Sequence, residues 1–353
     1  MDLPGQVSGS FAPVKVGLIG LGFAGTVLHL PSLMKNPRAQ LVAVSDVSDD
    51  KLSEFSSTFP NLDVRKTIGH HSIIEDPSID AVFIASPTPS HTSIAIEAIK
   101  AGKHVFCEKP ISSTIEDAQL MVAESDAHPN LILMIGQVLR FWPEYVQIKK
   151  IIDDGRIGKP VIARTYRANP MPKAQFYEED ELSGGVIVDL GLHDIDFLSW
   201  ALGPVASVYA QGGNLSGRGD VVDYAQIHFN FESGAIAYLE ANWALPENFP
   251  FSTAIEITGT QGMIAADNTD SRASYQLTIN GQKRVTTAVS ELNGYYFEQD
   301  AFLRAVQTKS PTPIPASSAL YSLRLAIAAK ESIKTGKEVI LAALVSPSKV
   351  AVS

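Results

Sequence analysis

Three short segments of the chain carry residue types that suit the oxidation of an alcohol by a dinucleotide coenzyme. They are Gly20-Leu21-Gly22-Phe23-Ala24-Gly25, Glu108-Lys109-Pro110, and a segment with Asp189 and His193. The first predicts a pyrophosphate site, the second a cation beside it, and the third a general base with a carboxylate one helical turn away. Together they indicate an NAD-dependent sugar or polyol dehydrogenase.

The glycine segment follows a predicted strand and opens a predicted helix, as a dinucleotide turn does. Gly20 permits the tight turn, Gly22 lets the backbone approach the pyrophosphate, and Gly25 allows the helix to pack on the strand. Phe23 and Ala24 belong to the same predicted coenzyme contact. In the alternative interpretation, the glycines serve only a strand-to-helix turn.

Asp46 ends the second predicted strand, 21 residues after Gly25. A carboxylate there can accept hydrogen bonds from the adenosine ribose and repel a 2'-phosphate, which favours NAD over NADP. Lys51, five residues on, could soften that discrimination. In the alternative interpretation, Asp46 is the N-cap of the helical pattern at 48–58.

Lys109 is predicted at the C-terminal end of the strand at 104–107, the edge where ligands bind in open α/β sheets. Its ammonium group can polarise the reacting oxygen there. The alternatives are a solvated lysine or a simple ion-pair partner for Glu108.

Asp189 and His193 are four residues apart, so on a helix they share a face, which Asp196 extends. A histidine near its reference pKa of about 6.5 can accept a proton at neutral pH, and Asp189 can orient it. One alternative is a core histidine with a hydrogen-bonded aspartate. Another is a lyase or hydrolase with a metal on these three residues, which a lack of a second well-placed histidine disfavours. We expect no metal.

The elements that position these residues follow from the apolar pattern. Short apolar runs at 16–19, 41–44, 81–85, 104–107 and 131–135 alternate with helical patterns such as 90–101 and 114–127. They predict a doubly wound parallel sheet that ends near Gln137. After Arg140, period-two alternation at 225–231 and turns at 232–234, 260–262 and 280–281 predict a large, mainly antiparallel sheet, followed by helices from Tyr296 and Ser318.

Length and composition set the broad class. The 353 residues, 45% hydrophobic, allow an NAD-binding Rossmann domain at 14–138, a substrate-binding and oligomerisation domain at 139–342, and flexible tails at 1–13 and 343–353. Lys and Arg number 28 against 38 Asp and Glu, a net charge of −10, which argues against nucleic acid. A single Cys107 excludes an intrachain disulfide. The absence of a long apolar stretch or signal core argues against a membrane location and favours the cytoplasm.

The sequence resembles the Gfo/Idh/MocA oxidoreductases, and among them the inositol dehydrogenase-like branch. The likeness covers about residues 14 to 340 and rests on the glycine turn, on Glu108-Lys109-Pro110 and on further short motifs. These are Ser86-Pro87 with His91, Arg140-Phe141-Trp142-Pro143, Gly155-Arg156-Ile157-Gly158, Gly184-Gly185, Asp189-Leu190-Gly191-Leu192-His193-Asp194-Ile195-Asp196, Trp200-Ala201-Leu202-Gly203 and Gly259-Thr260-Gln261-Gly262.

The resemblance implies Lys109, Asp189 and His193 as the catalytic trio and a cis Lys109-Pro110 bond. Coenzyme contacts besides the glycine turn, Asp46 and Lys51 are then expected from Ser86, Pro87, His91, Glu108, Lys109 and Gln137. Candidate substrate contacts come from strand ends and loops: Arg140, Tyr166, Asn169, Asn242, Trp243 and Tyr296.

The resulting expectation is hydride transfer between NAD and a secondary alcohol or ketone of a cyclitol or sugar, in a homodimer or homotetramer built on the open sheet. An NADP-dependent keto-sugar reductase or an aldose dehydrogenase of the same family is the alternative within this class. A non-catalytic NAD-binding sensor is the alternative from another class.

Overall fold

The computed structural model describes residues 11–268, 274–287 and 292–341. The predicted tails at 1–13 and 343–353 therefore lie outside the described residues, apart from 11–13, which form no helix or strand. Of the described residues, 14–136 form a six-stranded parallel sheet in the order β3-β2-β1-β4-β5-β6. Its strands are β1 (Val14–Ile19), β2 (Ala39–Asp46), β3 (Arg65–Ile68), β4 (Ala81–Ile84), β5 (His104–Glu108) and β6 (Leu133–Gly136).

Helices cover both faces of this sheet, as the alternation of apolar runs and helical patterns predicts. They are α1 (Leu30–Lys35), α2 (Asp49–Thr58), α3 (His71–Ile74), α4 (His91–Lys100) and α5 (Ile115–Ala127), with a π-helical turn at Ala24–His29 before α1 and a 3₁₀ turn at Thr88–Ser90 before α4. The strand order reverses between β1 and β4, where the carboxyl ends of the strands leave a crevice for a ligand.

A nine-stranded sheet follows among the described residues, in the order β14-β13-β12-β11-β7-β10-β9-β8-β15. Only the β7–β10 pair of this sheet is parallel, so the prediction of a mainly antiparallel sheet is confirmed. The strands are β7 (Pro160–Ala168), β8 (Val205–Gly213), β9 (Tyr224–Phe231), β10 (Ile236–Asn242), β11 (Ser252–Gly259), β12 (Gly262–Asp267), β13 (Ser274–Ile279), β14 (Gln282–Thr287) and β15 (Val339–Ile340).

The remaining helices pack on one face of the large sheet or bridge to the first sheet. They are α6 (Pro143–Asp153), α7 (Asp180–Ser183), α8 (Leu192–Leu202), α9 (Gly294–Thr308) and α10 (Ala316–Thr335), with a π-helical turn at Ile187–Gly191 and 3₁₀ turns at Val138–Phe141 and Gln175–Glu178. None of the described helices combines the length and apolarity needed to cross a membrane.

Helix α9 brings the chain back to the first sheet. Its Phe302 is fully buried and meets Phe83 of β4 and Phe106 of β5 edge-on, with ring centroids 5.3 and 5.7 Å apart. Leu303 lies in the same core. The first turn of α9 is thereby fixed near the carboxyl end of β5, where Lys109 follows.

Candidate active site

The glycine turn has the geometry that its sequence predicts. Gly20 has φ +98°, and a Cβ there would lie 2.6 Å from the Ala85 carbonyl group. A Cβ at Gly25 would lie 2.0 Å from the Gly20 carbonyl oxygen, so both positions require glycine. At Gly22 a Cβ would meet nothing within 4 Å, which leaves that backbone open to an approaching pyrophosphate. Ala24 begins the π-helical turn and Phe23 is exposed beside it.

Asp46 is tied to this turn. One carboxylate oxygen accepts a hydrogen bond from the Leu21 N–H at 2.8 Å, and the other accepts one from the Ser48 N–H at 2.9 Å. The N-cap alternative for Asp46 is wrong, because the Ser48 hydroxyl caps α2 by accepting from the Lys51 N–H. The Lys51 ammonium is engaged by Glu54 at 2.7 Å, an ion pair that raises the pKa of Lys51 and weakens its expected pull on a 2'-phosphate.

His91 lies inside the protein and braces two loops. Its Nδ1 is 2.8 Å from the Pro110 carbonyl oxygen, and its Nε2 is 2.8 Å from the Ser86 carbonyl oxygen. Burial lowers the pKa of His91, so the ring is neutral and one nitrogen donates. This buried place differs from the direct coenzyme contact that we expected. In the same loop, Ser86 is half-buried and Pro87 is exposed.

Glu108 is buried and points away from solvent. Its carboxylate accepts from His29 Nε2 at 2.6 Å and from the Lys109 N–H at 2.9 Å. The Gln299 amide donates to His29 Nδ1 at 2.9 Å, which places the ring proton on Nε2. Burial alone would raise the pKa of Glu108, but His29 and Lys109 outweigh it and lower it. The Lys109-Pro110 bond is cis.

Lys109 and Asp189 meet across the cleft. The Lys109 ammonium nitrogen lies 3.0 Å from an Asp189 carboxylate oxygen and 2.7 Å from the Asp189 backbone carbonyl. Both side chains are largely buried, with 14% and 25% exposed. An ammonium group has three N–H donors, so one remains for a substrate oxygen.

The predicted single helix through Asp189 and His193 is wrong in detail. Asp189 lies in the π-helical turn, and His193 is in the first turn of α8. The Asp189 carboxylate is turned to Lys109 instead of orienting the imidazole. His193 Nδ1 is buried without a hydrogen-bond partner.

The pKa of His193 also differs from the expectation. Burial, with the positive charges of Lys109 and Arg167, holds the pKa of His193 well below its usual range. The imidazole is therefore neutral at physiological pH and has a free nitrogen to accept a proton. Arg167 is itself fixed by a buried ion pair with Asp194, the residue after His193.

Asp196 and Arg140 form a separate interior ion pair. Arg140 binds both Asp196 oxygens, at 2.8 and 2.7 Å, and also reaches the Ser318 hydroxyl, while Ser322 donates to Asp196. The pair joins the 3₁₀ turn after β6 to α8 and α10. Its Nε and Nη2 donors are used internally, so Arg140 has a structural role here, in contrast to its prediction as a substrate contact.

Two other substrate candidates lie on the wrong face of the large sheet. Tyr166 of β7 pairs with Glu240 and Ala254 of the neighbouring strands. It lies on the same face of the sheet as the exposed residues Ile162 and Arg164. Asn242 shares that face and its side chain accepts from the Ala244 N–H. Their prediction as cleft residues is wrong, because the strand pleat alternates side chains between the two faces.

Trp243 and Asn169 lie nearer the cleft. Trp243 is fully buried and packs edge-on against Tyr177, with centroids 5.7 Å apart. Burial and then the Asp189 carboxylate raise the pKa of Tyr177 to about 12, so Trp243 supports a residue next to Asp189. Asn169 follows β7 and donates to the Pro170 carbonyl.

Tyr295, and not the predicted Tyr296, lies close to Glu108 and Asp189. Burial, with the charges of Glu108, Glu298 and Asp189, raises the pKa of Tyr295 far above its usual value, whereas Tyr296 lies near Asp300 and Arg38. The Tyr295 ring packs edge-on against His29 at 5.8 Å. The sequence held no signal for this, since the two tyrosines are adjacent and only packing distinguishes them.

Unpartnered buried groups remain around the site. Both amide atoms of Gln137, at the end of β6, and both carboxylate oxygens of Glu298, in α9, are buried without a hydrogen-bond partner. A buried amide of this kind needs a polar partner. Gln137, the open Gly22 backbone and the Asp46 carboxylate therefore suit a dinucleotide in the crevice.

Two parts of the chain match the descriptions of known protein families. Residues 14–137 match a family described as an oxidoreductase family with an NAD-binding Rossmann fold, and residues 145–265 match the GFO/IDH/MocA C-terminal domain. The chain is 32% identical to myo-inositol 2-dehydrogenase of Thermotoga maritima, over 92% of this chain and 98% of the relative. It is 29% identical to scyllo-inositol 2-dehydrogenase (NAD(+)) of Bacillus subtilis, over 92% and 96%. A crystal structure of a probable dehydrogenase from Thermotoga maritima is 31% identical, has a TM-score of 0.79 and covers 93% of this chain and 99% of that chain.

Proposed function

Because the chain belongs to the GFO/IDH/MocA oxidoreductase family, we propose that it interconverts a secondary alcohol and a ketone on a cyclitol or sugar. As a member it is an NAD-binding dehydrogenase or reductase that acts on CH–OH groups of a small molecule. The inositol dehydrogenases among its relatives favour a cyclitol substrate.

One observation carries the proposal. Lys109 is a largely buried cation with one donor left over, and His193 is a neutral base with a free nitrogen beside it. Oxidation of an alcohol needs both functions: a donor that stabilises negative charge on oxygen, and a base that takes the hydroxyl proton. A protein that only sensed NAD would have no need to keep them together.

The side chains then divide the work as follows. Lys109 donates its free N–H to the substrate oxygen and stabilises the charge that develops there, while Asp189 holds the ammonium group in place. His193 accepts the hydroxyl proton as the carbon–oxygen double bond forms. When bound, NAD supplies the hydride acceptor, and in the reverse direction His193 returns the proton to the oxygen.

Coenzyme binding is assigned in the same proposal. The open backbone at Gly22 receives the pyrophosphate, Asp46 accepts from the ribose hydroxyls, and Gln137 offers its unpartnered amide to the nicotinamide end. Ser86 and Pro87 line the crevice between them. Asp46 is the reason to expect NAD over NADP.

Two features of the assembly belong to the proposal as well. We propose a division into a Rossmann domain at 14–138 and a substrate domain at 139–342, with a homodimer or homotetramer formed through the open face of the nine-stranded sheet. That face carries exposed apolar side chains, such as Ile162 and Ile236. A cytoplasmic location would give the enzyme access to free NAD.

The test is the near-ultraviolet absorbance of NADH, followed with the purified protein, NAD and a panel of inositols, aldoses and sugar alcohols. We expect oxidation of at least one inositol, and loss of that activity in a Lys109→Met variant that still binds NADH. Turnover of aldoses alone, or a preference for NADPH with keto-sugars, would favour the corresponding alternative within the family. Binding of NADH without turnover in either direction across the panel would contradict the proposal and favour a sensor.

A further inference from the structure

Two histidines and one glutamate converge on the surface of the first domain, apart from the elements that carry Lys109, Asp189 and His193. His70 precedes α3, His71 is its first residue, and Glu97 lies in α4. His70 Nε2 is 3.1 Å from one Glu97 carboxylate oxygen, and His71 Nδ1 is 2.7 Å from the other. We propose that His70, His71 and Glu97 form a binding site for a divalent transition-metal ion, with Zn²⁺ as the expected ion.

The donor set is suited to that ion. Neutral imidazole nitrogen and carboxylate oxygen are preferred zinc ligands, and two histidines with one carboxylate leave a fourth position for water. One ligand atom from each residue can be chosen so that all of them lie within 4.8 Å of one another. Neighbouring ligands on a tetrahedral zinc are about 3.4 Å apart, so the observed separations need only small side-chain movements.

The three side chains are gathered before any ion binds. Glu97 holds both histidines through different oxygens, and the two rings lie 4.3 Å apart between centroids. An ion would therefore meet ligands that already lie together.

The site is also accessible. The side chains of His70, Glu97 and His71 are 22%, 37% and 69% exposed, so an ion can enter and keep a water ligand. The residues come from two separate elements, and an ion would clamp α3 to α4. The segment before His70 is already held to β2, because the Gly69 N–H donates to the Asp46 carbonyl oxygen at 2.9 Å.

A surface pair elsewhere provides a matched comparison. Glu124 lies in the last turn of α5 and His128 is the C-cap residue that follows it, with the His128 Nδ1 3.2 Å from the carboxylate. Lys100 approaches the same glutamate. This pair offers one histidine and a carboxylate that is shared with a cation. It lacks the second histidine of the proposed site, so we expect it to bind zinc only weakly.

The test is calorimetric titration of the tag-free full-length chain with Zn²⁺ after chelator treatment, with Co²⁺ absorption in the visible as the second readout. We expect one ion per chain with micromolar or tighter affinity and the intense absorption bands of four-coordinate cobalt. His71→Ala and Glu97→Gln should each weaken binding by about tenfold or more, whereas His128→Ala should leave it unchanged.

Three outcomes would overturn the proposal. The first is a wild-type affinity for Zn²⁺ no better than millimolar, and the second is an affinity in His71→Ala equal to that of the wild type. The third is a loss of affinity in His128→Ala equal to the loss in His71→Ala. The described residues also contain a buried cluster of His29, Glu108 and Glu298, and zinc binding that survives in His71→Ala but is lost in Glu298→Gln would assign the ion there. Thermal unfolding of the wild type and each variant in chelator is the control for folding. Equal Tm values show that a variant has lost metal binding and not its fold.

Discussion

Lys109 is bound twice by Asp189, through the carboxylate at 3.0 Å and through the backbone carbonyl at 2.7 Å, although the two residues are 80 positions apart. The backbone contact comes from a carbonyl within the π-helical turn at Ile187–Gly191. The ammonium group is thereby held in one orientation. Its remaining N–H is directed by the protein before a substrate arrives.

Asp189→Asn tests this arrangement. The amide keeps the shape but removes the charge that balances the buried ammonium, so we expect kcat/KM to fall by about 10² or more with little change in the Kd for NADH. Steady-state kinetics on the substrate from the panel, with NADH fluorescence titration, measures both. An unchanged kcat/KM would mean that the backbone carbonyl alone positions Lys109.

His193→Ala should lower turnover by about 10² to 10⁴ and leave NADH affinity intact, because the variant lacks the base. The pKa of His193 lies well below 6.5, so the neutral base predominates at and above that pH and is lost only as the pH falls further. The wild-type kcat/KM should therefore show no decline from this group until the pH is well below 6.5. An acid limb centred at or above that pH would count against His193 as the base.

Asp46→Ala should lower kcat/KM for NAD by about tenfold or more and raise the relative use of NADP, since the ribose acceptor and the like charge are both removed. Some stability should also be lost, because the Leu21 and Ser48 N–H groups lose their acceptor. Lys51→Ala is the control. Its ratio of kcat/KM with NAD to kcat/KM with NADP should stay within about twofold of the wild-type ratio, because Glu54 already binds that lysine. Equal coenzyme ratios in Asp46→Ala and the wild type would refute the assignment.

Tyr295→Phe and Tyr296→Phe form a matched pair. Tyr295 is buried beside Glu108 and Asp189, so loss of its hydroxyl should lower kcat/KM by about tenfold. Tyr296 faces Asp300 and Arg38, and its variant should stay within about twofold of the wild type. The same panel substrate serves for both. The opposite ranking would restore the expectation drawn from the sequence.

Glu298→Gln should change how stability depends on pH. Burial, with the nearby Glu108 charge, raises the pKa of Glu298 well above its ordinary value of 4.5. The protonated Glu298 makes its full contribution to the free energy of unfolding below pH 4.5. This contribution is lost as the pH rises through the pKa of Glu298 in the folded protein. Between pH 4.5 and that pKa, the free energy of unfolding of the variant should rise relative to that of the wild type by up to about 1.4 kcal/mol per pH unit.

Urea unfolding of both proteins at a series of pH values measures this difference. A constant gap in the free energy of unfolding across the series would show that Glu298 does not change its protonation on unfolding.

The sequence by itself determined what depends on local spacing. The glycine turn between β1 and the following helical segment, the position of Asp46 at the end of β2 and that of Lys109 after β5 all follow from apolar runs and turn residues. The parallel and antiparallel sheets follow from the same patterns. In the first sheet the apolar pattern did not predict β3, Arg65-Lys66-Thr67-Ile68, which lies at the sheet edge, where polar residues are tolerated.

Only the tertiary structure decided which side chains meet. Asp189 pairs with Lys109, 80 positions away in the sequence, and not with His193, four positions away. Tyr166 lies outside the cleft because a strand alternates its faces, and Tyr295 lies inside because α9 returns to the first sheet. Contacts between residues far apart in sequence depend on the packing of whole elements, and local spacing carries no record of that packing.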